Sequence, residues 1–209
     1  MSKVNLRNDI LYLLDLASRE EQAFLAVLSE EERASEGDWD RWSAKDVIAH
    51  IVTWKRRFLD YLELPKENYS GDIDIDAINL EIFLQRRTIS WSDIFLWSEQ
   101  VYENLIQIVQ TFENEEFLEN CNFLYEKDHM LLHDHILWKV LVWYGYVHPI
   151  FHLSQYYVKN GPGPEGKNYS LKILQEAAGF LQDLDDDLGW HGEVSNFLDS
   201  ACNTMLHVL

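Results

Sequence analysis

The chain has 209 residues, 47% of them apolar and eight of them Trp, which places it among globular and not disordered proteins and allows one sizeable core. Acidic residues outnumber basic ones 36 to 17, for a formal net charge of −19, and that field disfavours nucleic acid and anionic membrane as partners. The only cysteines, Cys121 and Cys202, form no C-x-x-C pair. Polar residues stand where a signal peptide would be apolar, and no apolar run is long enough to span a bilayer, so a cytoplasmic setting is expected.

Residues 4–30 read as a first helix, with Ile10, Leu14, Ala17, Phe24 and Leu28 on one face and Arg and Glu on the other. Glu30 to Asp38 reads as a polar exit loop. A second helix starts at Ser43, where Ser43-Ala-Lys-Asp46 fits a capping box and Trp42 and Val47 are spaced as a hydrophobic staple. Its inward stripe is Val47, Ile51, Trp54, Phe58 and Leu62, and His50 shares that side. A lone histidine on an apolar face is ordinarily a satisfied core residue, so His50 gains meaning only from other ligands.

Pro65 and Asn68-Tyr-Ser-Gly71 end this helix, and residues 72–88 hold a short helix within a long connection. Asp72-Ile-Asp-Ile-Asp76 lacks the glycine and glutamate of a calcium loop. A third helix begins at Ser90-Trp-Ser-Asp93, with Ile94, Trp97, Val101, Leu105, Ile108 and Phe112 as its stripe. Residues 114–127 are irregular and acidic. The following stretch carries His129, His133 and His135 among charged neighbours, a poor setting for a metal.

A fourth, strongly apolar helix runs from near Leu132 to Val158. Leu137, Leu141, Gly145, His148, His152 and Gln155 fall on one stripe at steps of three and four. Two imidazoles one turn apart on an inward face can chelate one metal ion. Pro149 lacks an amide for the Gly145 carbonyl and predicts a kink beside the first of them. Asn160-Gly161 ends the helix, residues 161–169 are a Pro/Gly linker, and residues 170–209 hold two further helices. The acidic run Asp183 to Asp187 reads as a solvated face. No strand pattern, phosphate loop or nucleophile motif occurs in the chain.

The fold class expected is therefore all-α: a four-helix bundle over residues 1–160 with an extra C-terminal helical segment, packed on the core or on a partner. With helices two and four as neighbours, His50, His148 and His152 converge and leave open positions on a divalent ion. Ligand chemistry admits Zn or Ni first, and Fe or Cu as well.

Trp42-Ser-Ala-Lys-Asp-Val-Ile-Ala-His50 resembles the start of helix two in the DinB/YfiT-like superfamily, and His148-x-x-x-His152-x-x-Gln155 resembles its helix-four pattern, H-E-x-x-H-R-G-Q. The resemblance covers roughly residues 5–160. It implies an antiparallel bundle, a His-triad metal site and a homodimer. Among relatives it implies metal-dependent hydrolases and thiol-dependent transferases acting on small molecules. Pro149 replaces the motif's glutamate, and Leu153-Ser154 replaces its Arg-Gly, so one carboxylate and one anion-binding arginine are missing.

Two function classes follow. One is a metal-dependent enzyme, with Trp54, Trp97, Tyr144 and Gln155 as substrate-facing or ligand-supporting candidates and the catalytic base unassigned. The other is a non-enzymatic protein that binds or sequesters a small molecule, its metal structural or absent. A third reading makes all three histidines core residues.

Overall fold

The computed structural model describes residues 6–63, 74–121, 123 and 136–160. Its elements are α1 (Leu6–Val27), α2 (Glu30–Ala34), α3 (Ala44–Glu63), α4 (Ile75–Arg86), α5 (Trp91–Thr111), a single 3₁₀ turn at Glu116–Leu118, α6 (Leu137–Val142), a π turn at Trp143–Val147 and α7 (His148–Asn160). Among the described residues the protein is all-helical, with two isolated backbone bridges and no strand. No helix there is long and apolar enough to cross a membrane. The expected linker and C-terminal helices, with Asp72, His129, His133, His135 and Cys202, fall outside the described residues.

Four helices share one core. α1 packs on α5 and α7, and α3 packs on the same two. Ile10, Leu13, Leu14, Ala17, Phe24 and Leu25 of α1 meet Ile48, Ile51, Val52, Phe58 and Leu59 of α3 in a single buried cluster. Each large apolar side chain buried this way contributes about 1.5–3 kcal/mol. Edge-on contacts of Phe24 with Tyr156 at 5.3 Å and Tyr157 at 5.4 Å tie α1 to α7.

The expected capping box at the start of α3 is present. The Asp46 amide donates to Ser43 Oγ at 3.2 Å, and Asp46 Oδ2 accepts from the Ser43 amide at 2.9 Å and the Ser43 hydroxyl at 2.7 Å. A Cβ on Gly37 would lie 2.1 Å from that carboxylate oxygen, so only glycine lets the preceding loop lie on the cap. The Asp38–Arg41 backbone pair closes this loop and brings Trp39 to 6.0 Å from Trp42.

Two boundaries and one buried face differ from expectation. The first helix stops at Val27, because Ser29-Glu-Glu-Glu32 is itself a capping box and starts the short α2 where an exit loop was expected. On α5 the buried face is Ile94, Ser98, Val101, Tyr102, Leu105 and Val109, which leaves Trp97 only half-buried. The apolar helix expected from Leu132 begins at Leu137, since Ile136 is extended and bridges Asn120.

That last helix is also not one continuous period. The His148 amide donates to the Trp143 carbonyl, five residues back, where an α-helix would use the fourth. Pro149 follows at once: it has no amide for Gly145, and its ring crowds that carbonyl, so the regular ladder has to give way here. The widened turn packs against α1. A Cβ on Gly145 would lie 2.3 Å from Leu14 Cδ2, so any larger residue there would force the Leu14 side chain to move.

Candidate metal centre

Three histidines from two helices meet in the core. His50 is 3% exposed on α3 and His148 is 9% exposed at the head of α7, while His152 is half-buried one turn further on. His148 Nε2 lies 3.1 Å from His50 Nε2 and 3.1 Å from His152 Nε2. All three ligand atoms fall within 4.8 Å of one another. They are the one group of three or more potential ligands found among the described residues, and no carboxylate belongs to it.

Hydrogen bonding alone does not account for this arrangement. A neutral imidazole nitrogen carries either one proton or one lone pair, so His148 Nε2 can bond well to only one of its two neighbours. A divalent ion shared by three lone pairs satisfies all of them. With Zn–N near 2.0–2.1 Å, two nitrogens on a tetrahedral ion stand about 3.3 Å apart, close to the spacing here.

The electrostatics keep the His50 and His152 rings neutral, the form a metal needs. Burial holds His50 well below its ordinary value, helped by His152 and His148. Burial pushes His152 down to about 3, against a hydrogen bond with Gln155 and with help from Lys159.

Two spaces flank the histidines, and Trp42 borders both. An open cleft of about 210 Å³ reaches His152 and is edged by Gln155, Tyr156 and Lys159. A much smaller cavity of about 10 Å³ lies beyond His50, between α3 and α4. The Trp42 ring stands 4.8 Å from that of His50 and stacks on that of His152 at 5.9 Å.

Of the other expected site residues, Gln155 lines the open cleft beside His152. Tyr144 lies 5.9 Å from His148 and stacks on Trp54 at 6.1 Å, and Trp54 is 6.3 Å from His50. These two form an aromatic wall on the inner side, where Trp54 Nε1 donates to Asn79 Oδ1 at 2.9 Å. Trp97 lines neither space; it lies under Arg86, with the guanidinium 4.5 Å from its ring centre.

Sequence reasoning passed over Trp42 as a neighbour of the site, although its position before the α3 cap was a usable signal. It also passed over Arg86 and Asn79, which no local pattern links to His50. Comparison with protein-family models, curated proteins and solved structures found no match to this chain.

Proposed function

We propose that His50, His148 and His152 are the ligands of a divalent-metal centre, and that the chain is a DinB-like antiparallel four-helix bundle acting on a small molecule. The observation that carries this reading is the pair of 3.1 Å contacts converging on one His148 nitrogen, which a shared cation satisfies and hydrogen bonds do not. Zn or Ni suits three neutral imidazoles best, and Fe or Cu is compatible.

A bound divalent ion supplies Lewis acidity, polarising a carbonyl or lowering the pKa of a water or thiol, which fits a hydrolase or a thiol-dependent transferase. The chain's own residues do the rest. The open cleft admits the substrate past Tyr156 and Lys159, and Gln155 orients His152. Trp42, stacked on His152 and tilted against His50, keeps bulk water from that side. A second reading, binding without turnover, is supported by the absence of a carboxylate from the histidine group among the described residues.

The test is metal content by elemental analysis of the purified chain, then of His50→Ala and His152→Ala. Near-stoichiometric metal in the parent, lost in both variants, is the expected result. No metal after supplementation with Zn or Ni would sink the proposal. Rates on esters, lactones and thiol adducts then separate enzyme from binder, with uniformly flat rates favouring the binder.

A further inference from the structure

Trp39, in the loop before α3, points to what the open cleft receives. Its ring lies 6.0 Å from that of Trp42 and meets Phe83 in a T-shaped contact at 5.8 Å, yet 44% of the residue is exposed. Single exposed apolar residues are ordinary on a protein surface. Trp39 differs from them because it lines a concavity that ends at His152. The loop that presents it is held firmly. Asp38 and Arg41 exchange backbone hydrogen bonds at 2.9 and 3.0 Å, and Gly37 packs on the Asp46 carboxylate. A ring fixed in place before a ligand arrives loses little freedom on binding, which favours affinity.

The rest of the lining sets the ligand's character. Trp42, Val47 and Tyr156 continue the apolar surface, and His152 with Gln155 supplies a polar end. Trp42 stacks on His152 at 5.9 Å with 21° between the ring planes, so the aromatic wall runs up to the candidate metal ligand. Asp40 and Lys159 border the same cleft with opposite charges, which selects neither an anion nor a cation. The space is about 210 Å³. An apolar cavity of roughly 150 Å³ accommodates benzene, whereas drug-sized ligands take roughly 300 Å³ or more. One ring with a short polar substituent is the size that fits.

We propose that this cleft binds a neutral, single-ring aromatic molecule, its ring against Trp39 and its polar substituent turned toward His152. This names the substrate class of the proposed centre; the orientation toward His152 rests on the metal reading, and the Trp39 contact does not. Trp39 is then a specificity-determining residue. Paired aromatic rings gain an attraction beyond their buried area, and a saturated ring of similar size forgoes it.

The experiment titrates the full chain, metal-free and Zn-loaded, with benzyl alcohol and with cyclohexylmethanol, its saturated counterpart. Benzoate and benzylamine are the charged probes, and calorimetry gives the affinities. Benzyl alcohol should bind the parent about threefold to tenfold more tightly than cyclohexylmethanol, and both charged probes should bind more weakly. Trp39→Leu should abolish the aromatic preference and Trp39→Phe should keep part of it. Trp91→Leu, outside the cleft, should keep all of it. Unchanged melting temperatures establish that a loss is local; where Trp39→Leu does not fold, Trp39→Phe and the parent's own preference decide. Aromatic preference in metal-free protein that vanishes in Trp39→Leu upholds the cleft even where no metal binds. Zn should tighten benzyl alcohol in the parent and not in His152→Ala; affinity unmoved by bound Zn overturns the orientation toward His152. Full metal stoichiometry with equal affinity for the two alcohols overturns the aromatic cleft and leaves the metal centre standing. No binding of either alcohol, preference for a charged probe, or an equal loss in Trp91→Leu likewise overturns it.

Discussion

Two buried polar clusters share helix α3, barely more than a turn apart, and they are built on opposite principles. Around Lys55 every charge is answered. Lys55 and Glu21 are both 0% exposed, with Nζ 2.9 Å from Oε2, the Ser98 hydroxyl donates to the other Glu21 oxygen, and the Tyr102 ring lies 3.4 Å from Nζ. Burial pulls the lysine down to about 8 against the pull of Glu21, and burial with Glu21's charge pushes the Tyr102 phenol up. Around His50 the reverse holds: three ring nitrogens face one another with no carboxylate among them, and His50 Nδ1 is buried without a partner. A closed cluster of this kind fixes the register of α1, α3 and α5.

The contrast can be broken most strongly at Lys55. Lys55→Met leaves the Glu21 charge buried and alone, and should cost about 3–5 kcal/mol in urea unfolding. The double variant Lys55→Met/Glu21→Leu should recover most of that loss and keep its metal content. A double variant as unstable as the single one would mean that this cluster, too, has a role beyond its own pairing.

At the histidines the sign should reverse. His50→Leu removes a buried imidazole with a partnerless Nδ1, so the metal-free protein should gain about 1–2 kcal/mol in the same measurement, or at least lose nothing. Added Zn should stabilise the parent chain by about 2.7 kcal/mol at a hundredfold excess over Kd and leave His50→Leu unmoved. Clear destabilisation of metal-free His50→Leu would place the ring with the core and against the metal reading.

The smallest effect is with pH. The folded protein holds His50 and His152 below the ordinary 6.5, so between pH 6.5 and 5 the unfolded chain takes up protons that the folded chain refuses. Metal-free stability should therefore fall as pH drops through that window, by up to about 1.4 kcal/mol per pH unit per histidine. His50→Leu should show roughly half the slope in urea midpoints measured across it.

Local chemistry was the part that could be read from the chain. Ser43 with Asp46, and Ser90 with Asp93, announce helix starts because capping acts over three residues, and His148 with His152 share a face because helical spacing fixes it. Ser29 with Glu32 obeys the same rule but lies in an acidic run that reads as solvated. Contacts across the fold were not legible. Lys55 and Glu21 are 34 residues apart, and nothing in the helical pattern marks a lysine for burial. Trp97 falls on an apolar stripe whose true centre, Ser98, is polar, because the Glu21 carboxylate it serves comes from another helix. Arg86 reaches His50's surroundings only through the packing of α4 on α3.

The π turn at Trp143–Val147 sets how this protein can change over evolutionary time. Widening one turn holds an extra residue, which shifts everything after it by about 100° relative to what came before. Losing one residue there would restore a regular helix and swing His148 and His152 away from His50, while Leu137 to Val142 stayed in place. A length change that any surface loop absorbs would here dismantle the histidine cluster without exposing a single core residue of α6. Relatives that keep the three histidines should therefore keep the residue count between Leu137 and His148, however far their side chains drift.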